Sequence, residues 1–341
     1  MATLSSTVPT LLDVTRSMNP DGTQADIAEI LHKTNEILMD ATWKEGNLVT
    51  GDRTTVRTGL PSVGYRALNE GVARSKGTAR QVDEAAALLE GNTMVDRKLA
   101  ILSQNIAKYR LGESTAFMEA MNQQFASSLI YGNSTTSPKE FTGFMPRFNS
   151  LSGPTASQII DGGGTGTDNR SILLVGWDTE KVSCIFPKGT IGGLQHMDTT
   201  SNLRPGPDGY PIGDEVLDAS SNPYLAYKDH WEWNMGLSVK DPRYVVRIAN
   251  IDASNLTRDA SGSSALIQDL MVQAVETVQG TTPSMAFYMS RRVRAFLRRQ
   301  LLNTKNAFLG YDLVAGERAL VFDQVPIRRV DSMSVDEARV V

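Results

Sequence analysis

One cysteine among 341 residues rules out an intramolecular disulfide. The three histidines, His32, His196 and His230, are scattered without ligand spacing, so no metal site and no cofactor is expected. Cys184 lies within Val182-Ser183-Cys184-Ile185-Phe186, an apolar setting that marks it as core filling. Long apolar runs are lacking too: stretches such as Ile172-Leu173-Leu174-Val175 fall far short of the roughly 20 residues a membrane helix needs. No basic start leads into an apolar stretch, so a secretory signal is not expected, and the protein should be made in a cytoplasm. Excess positive charge is missing as well. A net charge of −4 and a pI near 5.5 argue against intimate DNA compaction, which calls for a basic surface. They still permit a wall standing around nucleic acid without gripping it.

Catalytic signatures are equally scarce. Asp161-Gly162-Gly163-Gly164-Thr165-Gly166 is the strongest enzyme-like feature, but a phosphate cradle must open a helix. Here Thr167-Asp168-Asn169-Arg170 leads into a strand, and no Lys-Ser/Thr pair follows, so a surface loop is expected. No Gly-x-Ser-x-Gly elbow occurs, and His230 beside Trp231 reads as a packed strand residue rather than a base. Asp214-Glu215 and Asp336-Glu337 sit in polar segments and are expected to be exposed.

What is present is a chain of 40% hydrophobic and 21% charged residues, long enough for a sizeable core and about two domains. Residues 1–25, with Pro9, Pro20 and Gly22, read as an extended arm. Ile27, Ile30, Leu31, Ile37 and Leu38 then predict a helix that stops by Gly46. Between Asn47 and Asn92 short alternations follow: Thr54–Thr58, Val63–Arg66 and Ala79–Val82, with Leu60-Pro61, Gly71 and Gly77 as breaks. They predict a two-stranded excursion, which alone is marginal and needs a neighbouring surface. Arg53, Arg57, Arg66, Arg74, Lys76 and Arg80 crowd its body, and Asp83, Glu84 and Glu90 lie on its return. It is either a solvated hairpin or an arm that docks on an acidic patch of another subunit.

A short helical stretch from Val95 to Arg110 and a long helix from Glu113 to Tyr131 are predicted, with Gly112 as the break between them. Phe117, Met121, Phe125 and Leu129 recur along the second as a core stripe. Residues 134–170 read as loop, followed by strands at Ser171–Gly176 and Val182–Phe186 and a second irregular stretch over 187–222. Trp231–Val239 and Tyr244–Ile251, with Asp241-Pro242 between them, predict an antiparallel pair. In the C-terminal third, Ile267, Leu270, Met271, Ala274, Val275 and Val278 form one helix face, with Ser263-Ser264 as cap. A strand at Ala286–Met289 leads to a helix capped by Ser290, with Val293, Phe296, Leu297 and Leu301 inward, and strands end the chain at Ala319–Phe322 and Ile327–Val330. The class is α+β, and no internal repeat is visible. Arg291, Arg292, Arg294, Arg298 and Arg299 line the outer side of the last helix, with Arg291, Arg294 and Arg298 on one stripe. That stripe is a solvated face, a surface for carboxylates of a neighbouring subunit, or, third, a nucleic-acid contact that lacks stacking aromatics.

The order of these parts resembles the tailed-bacteriophage major capsid (coat) protein family with the Hong Kong 97-type fold. Three stretches carry the likeness: Leu60–Arg66 with Leu68–Gly71, Arg243–Ile251, and Val321–Ile327. The resemblance implies an N-terminal arm (1–25) and a peripheral domain with a spine helix (26–46 and 93–140). It further implies an extended loop (47–92), an axial domain (141–318) with an insertion near 187–222, and C-terminal strands (319–341). Strands such as 228–251 could belong to the peripheral domain. The implied role is a non-enzymatic subunit that forms hexamers and pentamers of an icosahedral shell around packaged double-stranded DNA, which it meets by non-specific proximity. Assembly is expected in the host bacterial cytoplasm, without a membrane. A portal, a cement protein and, given the short N-terminus, a separate scaffolding protein are the expected partners. Subunit contacts are expected at Arg57, Arg66, Arg74, Lys76, Arg80, Arg291, Arg294 and Arg298. The Lys–Asn pair through which some members crosslink has no match here. The rival readings are another virion component, a tail-tube or decoration protein, and, more distantly, an enzyme acting on a phosphorylated or sugar substrate at 161–166.

Overall fold

A computed structural model describes residues 33–103, 105–218, 220–254, 256, 266–279, 284–303, 309–314, 317–333 and 336–341, with side chains 301–319 excepted. The predicted arm 1–25, Ile27, Ile30, Leu31 and His32, the Ser263-Ser264 cap and the Leu301 side chain lie outside them. The described chain forms two compact units: Leu88–Phe125 with Gly193–Asn234, and Thr34–Ala87 with Ala126–Gly192 and Met235–Val341.

The larger unit is built on a seven-stranded sheet. Its strands are β4 (Ile159–Asp161), β5 (Asn169–Trp177), β10 (Val245–Asp252), β11 (Ser284–Met289), β12 (Leu309–Val314), β13 (Glu317–Phe322) and β14 (Val325–Arg329). They lie in the order β12-β13-β14-β11-β5-β10-β4. β5 is buried at all nine of its positions, so its apolar run Ile172–Val175 follows from cover on both faces rather than from alternation. One face carries helices α5 (Ile267–Thr277) and α6 (Arg291–Asn303), whose Ile267, Met271, Ala274, Val293 and Leu297 pack with Ile172, Leu174, Phe287 and Phe322. Ser290 opens α6 as predicted, its Oγ accepting from the Val293 amide at 3.4 Å. Phe144, in the short helix α4 (Phe144–Arg147), meets Trp177 edge-on at 5.9 Å.

The C-terminal residues close this unit by polar contacts. Glu337 exchanges backbone bonds with Asn169, and its carboxylate accepts from Arg247 at 2.7 Å, from the Tyr131 hydroxyl at 2.9 Å and from Ser171. Arg247 also donates to the Phe148 carbonyl at 2.6 Å, and Asn250 exchanges two bonds with the Val340 backbone. Glu337 is therefore a buried ion-pair partner. The expectation of an exposed Asp336-Glu337 pair is corrected at its second member: Glu337 and Val340 are drawn inward by bonds to Asn169 and Asn250, which no local pattern reveals.

The larger unit also holds α1 (Ile37–Asp40), β1 (Trp43–Glu45), β2 (Gly51–Gly59) and β6 (Val182–Phe186). β1 runs parallel to β6, and β6 pairs antiparallel with Gly236–Val239 at the end of β9 (Pro223–Val239). β2 pairs with the opening stretch of β3 (Thr78–Asp96).

The smaller unit centres on α2 (Arg97–Leu102) and the long helix α3 (Ile106–Tyr131), which continues into the larger unit. Here β7 (Gly193–Asp198) and β8 (Asp214–Leu217) pair with successive stretches of β9. Val95, Leu99, Ala100, Tyr109 and Tyr227 form its core cluster. A buried Arg97 ties down the 202–213 segment, donating to Asp208 at 2.6 Å and to the Pro211 carbonyl at 2.7 Å.

Five further expectations are corrected. Gly112 does not separate a pair of helices; α3 runs through it, since one interior glycine costs only about 1 kcal/mol in a helix anchored by packing. Met121, Phe125 and Leu129 are buried as predicted. The strand character extends to Asp96, whose side chain caps α2, so helix begins at Arg97 rather than Val95. Strands β9 and β10 do not pair with each other: β9 pairs with β6, β7 and β8, and β10 with β5 and β4. The 3-10 turn Pro242–Tyr244 carries the chain between them in place of a hairpin turn. Val63–Arg66 is irregular, and the stretches read as loop contain α4 and β4 in one case and β7 and β8 in the other.

Candidate assembly surface

The excursion is an antiparallel ribbon of β2 and the start of β3, in register from Gly51↔Ala85 to Arg57↔Ala79. Its root is fixed by charge. Asp52 and Glu84 are cross-strand partners, both buried, an arrangement that like charges make unfavourable unless each is answered. Arg147 answers Glu84 with two parallel bonds of 2.6 Å, and Ser238 and Lys240 approach Asp52 at 3.2 and 3.7 Å. Outside the root, Arg53 and Asp83 form a two-bond pair that holds the Asp83 carboxyl below its ordinary range. The expected split between basic body and acidic return is thus partly neutralised inside the ribbon.

The outer stretch has no such answer. Every residue from Leu60 to Gln81 is exposed, including Leu60, Val63, Tyr65 and Leu68, the last at 89%. Between residues 57 and 80 five cations, Arg57, Arg66, Arg74, Lys76 and Arg80, face a single acid, Glu70. Among the described residues none of the five makes an ion pair. The structure therefore groups the five ribbon cations predicted from the sequence on one projection that is exposed among the described residues, together with exposed large apolar side chains.

The basic face of α6 is a different case. Arg291 lies 3.2 Å from Asp331, and Arg292 donates to the Ala253 carbonyl at 2.7 Å. The Arg299 guanidinium stacks 5.2 Å over Phe296. Arg298 is exposed and Arg294 half-buried. Some of this face is thus used within the chain.

Two chemical sites can be judged from geometry. In the 161–166 loop the Gly162, Gly163 and Gly164 amides donate to Ala249, Asp161 and Asn250 oxygens at 2.7–2.9 Å, so the protons a phosphate would need are engaged. His196 stacks on Trp231 and lies 2.9 Å from a buried Asp229 that also accepts from Arg110 at 2.6 Å. Asp229 is held as the centre of a packed polar cluster. Cys184 is fully buried, and burial pushes its thiol upward, consistent with core filling. Among the described residues, no group of three or more His, Cys, Asp or Glu could hold a metal ion, and no helix is long and apolar enough to cross a membrane.

Sequence reasoning missed the root pair Arg147–Glu84 and the strand β8. Only the turn-rich run Asp218–Asn222 after Asp214–Leu217 hinted at a hairpin there.

Residues 19–341 match the family described as major capsid protein GP7. A comparison with curated proteins gives no match. Among solved structures, a chain of bacteriophage Epsilon15 is 30% identical, with a TM-score of 0.77, covering 100% of this chain and 99% of that one. The bacteriophage JBD30 capsid is 9% identical, covers 89% and 93%, and has a TM-score of 0.48. The capsid of a native GTA particle is likewise 9% identical at a TM-score of 0.44, covering 67% and 93%. The last two likenesses are too weak to bear on function.

Proposed function

The chain belongs to the major capsid protein family described as GP7, and from that membership we propose which of its segments join the copies of the shell. It is a structural protein of the phage virion capsid with the α+β, Hong Kong 97-type fold, built into an icosahedral shell of capsomers. The finer reading concerns contacts. The ribbon tip, residues 60–81, is an arm that lies on a neighbouring copy, with Arg57, Arg66, Arg74, Lys76 and Arg80 meeting its carboxylates. The observation that carries this is the exposure of every residue of the tip despite five large apolar side chains, Leu60, Val63, Tyr65, Leu68 and Val72, and four of the five cations, with Arg57 exposed just before it. Extended segments of this kind bury area on neighbours while leaving the single subunit soluble, and their ordering entropy is lost only on assembly. Closed shells repeat such contacts by symmetry.

Arg291, Arg294 and Arg298 are assigned a second, weaker contact through α6, supported by the exposure of Arg291. The domain plan follows the same reading: residues 1–25 as arm, 47–92 as extended loop, 26–46 with 93–140 as peripheral domain, 141–318 as axial domain and 319–341 as closing strands. Capsomers are hexamers and pentamers assembled in the host bacterial cytoplasm, with scaffolding, portal and cement proteins as partners and no catalytic step. Double-stranded DNA is enclosed without a specific grip, which the net charge of −4 supports. Deleting residues 64–80 tests the central claim: the variant should fold and stay monomeric where the native chain forms shells seen by electron microscopy. Normal shells from the deletion variant would remove the ribbon tip from the contacts.

A further inference from the structure

Two sheet edges of this chain carry unused backbone groups in matching positions. On β2, the Thr50 carbonyl accepts from the Ala86 amide, which sets Asp52, Thr54 and Val56 as the residues bonded to β3. Their neighbours Gly51, Arg53, Thr55 and Arg57 therefore point their amides and carbonyls away from β3. Gly51 exchanges two bonds with Leu48, and Arg53 exchanges two, each of 2.7 Å, with the carboxamide of Asn47, which imitates a strand. Beyond Asn47 the edge is open. Among the described residues nothing bonds to the outward backbone of Thr55 or Arg57. Beside it runs a groove of about 780 Å³ lined by all the residues from Thr54 to Leu60 and, opposite, by Glu180 and Lys240–Arg243. Lining by consecutive residues means that the wall is the strand's edge, since a strand face would supply alternate residues.

The second edge is on β8. The Asp218 amide donates to Asn222, so Val216 and Asp214 bond to β9, and Gly213, Glu215 and Leu217 face outward. Gly213 is taken by the Asn202 carbonyl, whereas among the described residues nothing bonds to the outward groups of Glu215 and Leu217, both exposed.

We propose that β8 of one copy adds antiparallel to β2 of another, with Arg57 opposite Glu215 and Thr55 opposite Leu217. This rests on the shell reading and names one contact within it. In this register the four open residues pair their backbone groups two by two. Arg57 and Glu215 become a cross-strand ion pair on one face, and Val56 and Val216 a close apolar pair on the other. Shifting by two residues sets Arg57 against Gly213 or Leu217 and loses both pairs. The contact is head-to-tail, so every copy offers one edge and receives the other, which closes into rings when the rotation permits. It also covers edges that would otherwise template uncontrolled association.

The test uses the full chain in assembled particles. Thr55 and Leu217 are replaced together by cysteine; Cα atoms in such a pair lie about 5.5 Å apart, within disulfide reach. The native Cys184 is buried and does not compete. Mild oxidation should give a ladder of covalent oligomers from particles carrying both changes, and none from particles carrying either alone. Intact particles that yield only monomers would overturn the pairing while leaving the shell reading in place; a native chain that forms no particles would sink both. Charge reversal gives a second, independent arm. Arg57→Glu should lower particle yield roughly tenfold or more, because like charges then face each other, and adding Glu215→Arg should restore it. If the double reversal rescues nothing while each single change is harmful, the assigned register is wrong.

Discussion

Inside the seven-stranded lobe, Arg247 is 4% exposed and meets Glu337, two main-chain carbonyls and a serine; on the ribbon, Arg57, Arg66, Arg74, Lys76 and Arg80 meet no carboxylate among the described residues. The same residue type serves opposite ends in the two regions. A guanidinium removed from water must be answered within the chain, or the fold does not form. One left in water costs nothing until a partner arrives, so it can be reserved for another copy. The apolar residues divide the same way: Phe287 and Leu174 are wholly buried, while Val63 and Tyr65 stand in solvent. Stability resides in the lobe, and the proposed contact in the ribbon.

The contrast breaks most readily at Glu337. Glu337→Ala leaves Arg247 buried without its counter-charge and should cost about 3–5 kcal/mol, read as a lowered urea midpoint of the unassembled chain. A loss under about 1 kcal/mol would mean that water answers Arg247 and the lobe is not closed in charge. The root of the ribbon lies between the two regimes. Arg147→Ala should cost about 1.5–3 kcal/mol, with faster proteolysis between Gly51 and Ala85, because Glu84 loses a two-bond partner that is itself partly solvated. The tip is the opposite extreme: removing residues 64–80 should change the stability of the monomer by less than about 1 kcal/mol, since exposed chain, loop length and only the outermost, solvent-exposed end of the ladder, Thr78 to Arg80, are lost. A large drop in melting temperature would show the tip packed on its own subunit.

The smallest effect lies at the start of β8 and is local. The Ser201 amide, then the Lys228 ammonium and the Asn202 amide, hold Asp214 down at about 2. Unfolded, the same carboxyl titrates near ~3.9. Its contribution is therefore complete above about pH 4 and fades as the pH falls toward 2, because the folded state then binds the proton less readily than the unfolded one. The protection of the Ser201 and Asn202 amides, their exchange relative to the intrinsic rate at each pH, should fall over that window in the native chain, and Asp214→Asn should make that protection independent of pH there.

Much of the fold was legible because its signals are local. The four-residue recurrence of Met121, Phe125 and Leu129, the Ser290 cap, and the alternation Thr54–Thr58 before Leu60-Pro61 each reflect free energies within a few residues. The ribbon and its cations were legible for the same reason, and the stretches Leu60–Arg66, Arg243–Ile251 and Val321–Ile327 pointed to the family. Glu337 was misread because its neighbours are polar and its burial depends on Asn169 and Arg247, more than eighty residues distant in the chain.

By itself, then, the chain determined that its strongly patterned segments become helix or strand, which residues are apolar enough to be drawn inward, and that one long stretch would project with a surplus of cations. Tertiary structure alone decided that β9 and β10 join different sheets, that Asn47 closes some of an edge and leaves Thr55 and Arg57 open, and that Arg147 meets Glu84. Strand propensity is a property of a few adjacent residues, whereas the choice of partner for a strand edge or a buried charge is a competition among distant segments, settled only when the whole chain packs.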